Sequence, residues 1–428
     1  MSTFEQLRKY FLVCIVGSLS VTVLLKVGEI QYLELILVAD FVVLTALFFK
    51  NGLKCKVFRP FMSLATTWGI FLAFALLLSV VALRQNFYAF DDTFFKRPLL
   101  VTISRMAELF LDVFYMLYLA SLYREDERLC RLGARTYFWM GILGGIYAVL
   151  CFPLNLMFQW QLGTYSDLHR LRGFNNEAGS YGTYLISVGL LTMAMRQRGW
   201  LSLNEFRWGL SLFVVCLLGS QSKAAIIAVA ILGVVNVLLV MNGWKRFALI
   251  GGAVAGLLIT VSFLNLQDQI NAYIEGAAKY QSLSAFRSED GNFVMGRVSG
   301  VVLSPKMIAA HPILGIGWGN YPLVRDDPEY RRGTAFSLGS TDSPSLGPID
   351  YIVELGFPLF FYLTWAELKP LYLLWRHRAD IWILNLGVMQ ILANWFGAHL
   401  NLTYPWVVVG LGLGMGFMKQ HEPGQSHE

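Results

Sequence analysis

Apolar residues in this chain gather into long unbroken runs, not into the one-faced stripes of a soluble helix or strand, and polar residues fill the gaps between them. A helix crossing the hydrocarbon of a bilayer needs about 20 predominantly apolar residues. Runs of that order fall at residues 10–27, 30–49, 61–83, 98–120, 136–157 and 178–195, and again at 208–221, 223–241, 247–265, 349–375, 380–400 and 404–418. The pattern predicts an all-α, polytopic membrane helix bundle of about 12 transmembrane helices, because in lipid a helix satisfies its own backbone. The 208–221 run is short, and a broken or tilted segment is an alternative reading there. A polar insert, residues 266–348, separates the ninth and tenth runs. The expected organisation is one transmembrane domain over residues 1–428, a large loop at 266–348 inserted in it, and a polar tail at 419–428.

Composition agrees with this reading: 56% of residues are hydrophobic and only 14% charged, against about a quarter charged in soluble domains. Mean hydropathy is +0.54. Charge adds orientation. With the N-terminus inside, 18 of the 34 Lys and Arg fall on inward segments, 6 on short outward loops, 7 in the insert and 3 within runs. Retention of Lys and Arg on the cytoplasmic side therefore places both termini in the cytoplasm and the insert outside. The net charge of +6 then reflects topology and not a nucleic-acid partner. The first run has no small-residue cleavage pattern after it and reads as an uncleaved anchor. All five cysteines, Cys14, Cys55, Cys130, Cys151 and Cys216, fall in runs or inward segments, so neither a disulfide nor a structural metal site is expected.

Within the insert, residues 268–286 and 293–310 mix apolar and polar positions as interfacial helices do, with Pro305 starting or kinking the second. After them comes His311-Pro-Ile-Leu-Gly-Ile-Gly-Trp-Gly-Asn320. Its alternating glycines call for a tight turn or a close approach; they lack the spacing of a dinucleotide loop. Ionisable residues inside runs raise a further question, because charge at membrane depth is costly and often functional. Arg105, Glu108 and Asp112 share a helix face, and a structural ion cluster and a proton path both fit them; Glu34, Asp40, Glu354 and Glu367 have the same two readings. Most tryptophans near run ends, such as Trp68, Trp139, Trp160 and Trp406, read as interfacial anchors, whereas Trp318 is a candidate for stacking on a sugar.

Three outward patches carry a resemblance. Arg172-Gly-Phe-Asn-Asn-Glu177 leads into a run, Gly219-Ser-Gln-Ser-Lys-Ala-Ala225 forms a turn between two runs, and Gly296-Arg297 precedes the His311 string and Ile349-Asp-Tyr-Ile-Val-Glu-Leu-Gly356. Over about residues 172–356 the chain resembles the O-antigen ligase and O-antigen polymerase superfamily of bacterial inner-membrane enzymes. The resemblance implies transfer of an oligosaccharide from undecaprenyl diphosphate to an acceptor hydroxyl at the periplasmic face, without metal or nucleotide cofactor. Ligases carry a His-Asn pair before the Glu-x-Gly element where this chain has Ser345-Leu346. That difference favours polymerisation of repeat units for O-antigen, capsule or exopolysaccharide, with a ligase acting on lipid A core as the alternative.

Such chemistry needs cations for the departing diphosphate and a base for the acceptor. Arginine's planar fork suits phosphate oxygens, so Arg172 and Arg297, with Lys223 and Arg325, are the candidate diphosphate clamp; their bland alternative is interfacial anchoring, and for Arg325 a solvated mixed-charge loop. His311, Glu177 and Asp342, then His169, are the candidate bases, with a turn-stabilising role as the alternative for His311. Expected partners are the lipid-linked oligosaccharide, membrane lipid and a chain-length regulator. A secondary transporter or lipid-linked sugar flippase is the rival from another class, disfavoured by the single lopsided insert.

Overall fold

A computed structural model describes residues 3–18, 26–27, 30–50, 58–85, 97–158, 162–164, 170–175, 177–240, 299–325, 327–331, 347–396 and 403–418. Helices dominate them: α1 (Thr3–Gly17), α2 (Tyr32–Lys50), α3 (Arg59–Gln85), α4 (Pro98–Glu125), α5 (Glu127–Phe158), α6 (Ala178–Gln197), α7 (Leu203–Ser220) and α8 (Lys223–Val240). After the insert begins come α9 (Ser299–Ala310), the single turns α10 (Tyr321–Val324) and α11 (Pro328–Arg331), then α12 (Pro348–Arg376), α13 (Ile381–Phe396) and α14 (Thr403–Phe417). The extended structure consists of a two-residue pairing of Lys26–Val27 with Ile30–Gln31 and an isolated bridge from Thr164 to Leu171.

Helices stand in the predicted runs at 30–49, 61–83, 98–120, 136–157, 178–195, 208–221, 223–241, 349–375, 380–400 and 404–418. The 10–27 run is helical to Gly17 and extended at Lys26–Val27, and the 247–265 run and the helix expected at 268–286 lie outside the described residues. Among the described residues, Arg59–Arg84, Glu127–Phe158 and Pro348–Arg376 are long and apolar enough to cross a membrane by themselves. Leu77 on α3, Leu150 and Met157 on α5, and Phe361 and Trp375 on α12 are all exposed, which for an integral membrane protein means exposure to hydrocarbon. The short run at 208–221 belongs to an unbroken helix that starts earlier. Ser202 accepts the Glu205 N–H through its hydroxyl while Glu205 accepts the Ser202 N–H, a reciprocal cap that fixes the start of α7.

The chain divides into two compact units. The first comprises Met1–Ala65, Leu111–Asn236 and Leu368–Glu428. In it α6 packs on α5, α7 and α13, while α13 packs on α14 and α1 on α5. Polar side chains are paired within it: Asn385 donates to Asn236 Oδ1 at 2.7 Å, and Arg8 bonds Asp40 at 2.9 Å and the Tyr118 hydroxyl at 2.7 Å. Asp40 thus belongs to a structural ion cluster.

The second unit comprises Thr66–Phe110 and Val237–Glu367. Here the described chain consists of most of α3, the first part of α4, the last turn of α8, α9 to α11 with their connecting loop, and the first part of α12. Its core joins Leu303 and Met307 of α9, Ile316, Tyr321 and Val324 of the loop and α10, Tyr330 of α11 and Val353 of α12. Pro305 lies inside α9, within its first two turns.

Candidate functional site

Two of the patches singled out in the sequence meet in the first unit. The segment before α6 is anchored by its own backbone: Arg172 N–H donates to Gly163 O at 2.9 Å, and Asn175 N–H to Arg172 O at 2.9 Å. Gly173 supplies the positive φ of 55° that this turn needs. Phe174 stacks on Tyr147 of α5 with ring centroids 4.9 Å apart. The half-buried Arg172 side chain therefore leaves a backbone that is held on both sides.

The α7–α8 turn is bonded to this segment. Leu171 N–H donates to Gly219 O at 2.9 Å, and Arg170 Nε donates to Ser220 O at 3.3 Å. Ser222 accepts the Ala225 N–H at 3.2 Å and donates to Gly179 O at 3.3 Å. One hydroxyl thereby caps α8 and ties it to the first turn of α6. The helices cross closely there, and a Cβ at Gly182 would stand 2.5 Å from Ser222 Cβ. Arg172 and Lys223, the first residue of α8, are thus carried by hydrogen-bonded neighbours. Glu177 is exposed at the N-cap of α6, where its side chain makes no capping bond.

In the second unit the His311 string and the Glu354-Leu-Gly356 element interlock. Helix α12 is broken at Gly356, whose φ of 68° and ψ of 169° are not helical. The loop fills the break: Ile316 N–H donates to Val353 O, Gly317 N–H to Glu354 O, and Phe357 N–H to Pro312 O, at 2.9 to 3.0 Å. Broken backbone inside an apolar helix is tolerated where protein groups satisfy it. Both strands of this lock are glycine for a steric reason, since a Cβ at Gly315 would lie 2.3 Å from Glu354 O and one at Gly356 2.2 Å from Ile313 O.

Glu354 adds a side-chain tie. Its carboxylate is buried and accepts the Tyr321 N–H at 3.0 Å and the Gly319 N–H, so one residue holds both ends of the Gly-Trp-Gly-Asn turn. Two hydroxyls within apolar helices complete it: Trp318 N–H donates to Ser79 of α3 at 2.9 Å, and Thr102 of α4 donates to Trp318 O at 2.8 Å. Trp318 stacks on Tyr351 and meets Phe71 edge-on. At 3% exposure it is a core residue here and presents no free face to a sugar. Arg105 pairs with Glu108 at 3.4 Å on the exposed side of α4, the structural alternative for that pair.

His311 stands at the end of α9. Its N–H donates to Met307 O, its carbonyl accepts the Gly315 N–H, and Nε2 lies 2.7 Å from the Tyr330 hydroxyl. Burial holds the imidazole below the usual histidine range, with the nearby Glu329 carboxylate pulling the other way. The ring is therefore neutral at neutral pH, the form a base requires.

Arg325 departs from the expectation of a solvated loop. It follows α10, with its N–H on Tyr321 O at 3.0 Å, and is 0% exposed, among the largest fully buried side chains described. An arginine in that setting is held by the protein interior and has no open face for a diphosphate in this conformation. Arg297, Asp342 and His169 lie outside the described residues. Tyr330, Ser79 and Thr102 had no role assigned from sequence; the two hydroxyls were legible only as isolated polar positions inside apolar runs.

Residues 208–364, which contain the α7–α8 turn and the whole interlocked element, match a family model described as O-antigen ligase. No curated protein gives a significant match.

Proposed function

We propose that this chain, whose family match supports membership of the O-antigen ligase and polymerase superfamily, polymerises oligosaccharide repeat units carried on undecaprenyl diphosphate. The reaction takes place at the periplasmic face of the bacterial inner membrane, and both termini are cytoplasmic. The carrying observation is the lock between the 311–320 loop and the Glu354–Gly356 break. It joins the two most family-like sequence elements into one hydrogen-bonded structure inside the matched residues.

In this reading the anomeric C1–O bond to diphosphate breaks as the acceptor oxygen bonds C1, and the electron pair leaves with the lipid diphosphate. Negative charge grows on that leaving group, and charge-assisted hydrogen bonds from cations stabilise it; Arg172 and Lys223 are the candidates of the first unit, and Arg297 is the candidate of the insert. The acceptor's proton passes to a base, for which His311 has the strongest support: it is half-exposed, held on three sides and neutral. Glu177 is the alternative base in the first unit, exposed at a helix N-terminus; Asp342, outside the described residues, is a further candidate. Arg325 supports the loop from within and belongs to the clamp only if the interior around it opens. A chain-length regulator is the expected protein partner.

The missing ligase pair at Ser345-Leu346 supports polymerase over ligase. The test supplies purified protein in lipid with a lipid diphosphate-linked repeat unit, with and without lipid A core. Lengthened glycan from the repeat unit alone is the expected product. Transfer only to lipid A core makes the chain a ligase, and substrate-dependent transport in vesicles with no glycan product makes it a transporter.

A further inference from the structure

We infer that Tyr330 is a positioning residue for His311, its oxygen accepting the Nε2–H so that Nδ1 is left as the ring nitrogen that takes the acceptor's proton. The inference rests on the reading of His311 as base. Its geometry comes from three elements that converge on one ring. The end of α9 fixes the His311 backbone through Met307, the loop fixes its carbonyl through Gly315, and α11 presents the Tyr330 hydroxyl to Nε2 at 2.7 Å. The two rings meet edge-on, with centroids 6.3 Å apart and planes at 74°.

Tyr330 is itself immobilised. Its ring is 3% exposed in the core with Leu303, Met307, Tyr321 and Val324, and its carbonyl accepts Lys306 Nζ at 3.0 Å. Asp327 caps α11 by accepting the Glu329 N–H at 2.8 Å. The hydroxyl is therefore a fixed feature of the interior, while the histidine it faces is half-exposed. A rigid interior group bound to one nitrogen of a partly open imidazole sets its tautomer and ring plane, because the hydrogen bond on one nitrogen decides what the other can do.

The proton balance follows. In the neutral ring Nε2 carries hydrogen and donates to the Tyr330 oxygen, and Nδ1 holds a lone pair. As the acceptor oxygen bonds C1 and the C1–O bond to diphosphate breaks, the acceptor proton moves to Nδ1. The imidazolium that forms keeps its Nε2–H on the tyrosine oxygen, now as a charge-assisted bond. The charged group acting on the ring is Glu329 of α11, which favours the imidazolium; the Lys306 ammonium of α9 is bonded to the Tyr330 carbonyl. Tyr330 is the titratable group in direct contact.

The experiment compares His311→Ala and Tyr330→Phe in polymerisation of the lipid-linked repeat unit, measuring kcat and KM across pH alongside membrane abundance. His311→Ala is expected to be inactive at normal abundance. Tyr330→Phe keeps the buried ring and is expected to lower kcat about tenfold with KM unchanged. Its acidic limb should shift to lower pH, because the imidazolium loses its acceptor.

Wild-type activity from His311→Ala removes the base reading and this inference with it. An inactive His311→Ala beside a Tyr330→Phe with wild-type kcat and acidic limb overturns the inference alone. If Tyr330→Phe loses abundance, difluorotyrosine at position 330 keeps the side chain while weakening the oxygen as acceptor. The same acid shift then supports the inference, and an unmoved limb overturns it.

Discussion

Single side chains in this protein divide by how they are held. Arg172 projects from a turn whose N–H and carbonyl are both bonded, so replacing it changes charge and leaves the backbone in place. Arg172→Ala and Arg297→Ala are expected to abolish polymer at unchanged membrane abundance, with Lys at either position restoring only part because the bidentate fork is lost; chain-length analysis of cells carrying each variant checks this. His311 gives a pH prediction. Its pKa in the fold lies below that of the unfolded chain, so the fold binds this proton less well. Its contribution to stability is complete above the ordinary histidine range, about 6.5, and is lost as pH falls through the depressed value. Activity that needs the neutral ring falls in the same direction, which a kcat/KM profile reads directly. The sequence marked His311 and Arg172 through their motifs, but it gave no warning that Arg325 is interior. A mixed-charge stretch looks solvated until the fold encloses one of its members.

Among elements, the lock at the break of α12 dominates. The sequence called for a tight turn or a close approach at Gly315, Gly317 and Gly319, and the structure has both: all three have positive φ, and Gly315 lies against the backbone of Glu354. The motif marked the partner, Gly356, 41 positions later, but not that it breaks its own helix to receive the loop. The pairing joins backbone positions far apart in sequence, which a local pattern does not show. Gly315→Ala and Gly356→Ala should each cost at least about 1–2 kcal/mol from left-handed backbone alone, and more because the clash is with rigid main chain. Thermal unfolding in detergent is expected to show a lowered midpoint for both, and an unchanged midpoint for either would remove the lock as a stabilising element. Gly182→Leu should separate α6 from the capped start of α8 and reduce activity through Lys223 while retaining most of the protein in the membrane. Immunoblot of membranes beside the polymerisation assay separates the two effects.

For the whole molecule, hydropathy located most of the described helices, because length and apolarity are what a bilayer demands, although the 10–27 run turns extended at Lys26–Val27 and three described helices are long and apolar enough to span by themselves. It gave boundaries less well where caps act: α7 starts at its Ser202 cap and not at the first apolar residue. The chemistry was legible only as far as motifs carried it, and the contacts that build the site, Ser79 and Thr102 on Trp318 or Tyr330 on His311, join positions far apart in sequence. In the proposed function, lipid diphosphate is the leaving group of a glycosyl transfer that needs only this chain. The most direct test incubates purified protein in lipid with a radiolabelled diphosphate-linked repeat unit, with EDTA present and no other protein. Glycan length and released undecaprenyl diphosphate are then counted together. A ladder of lengthened glycan is expected, with one carrier released for each new linkage. Intact starting material, or a ladder formed with no release of carrier, would contradict it.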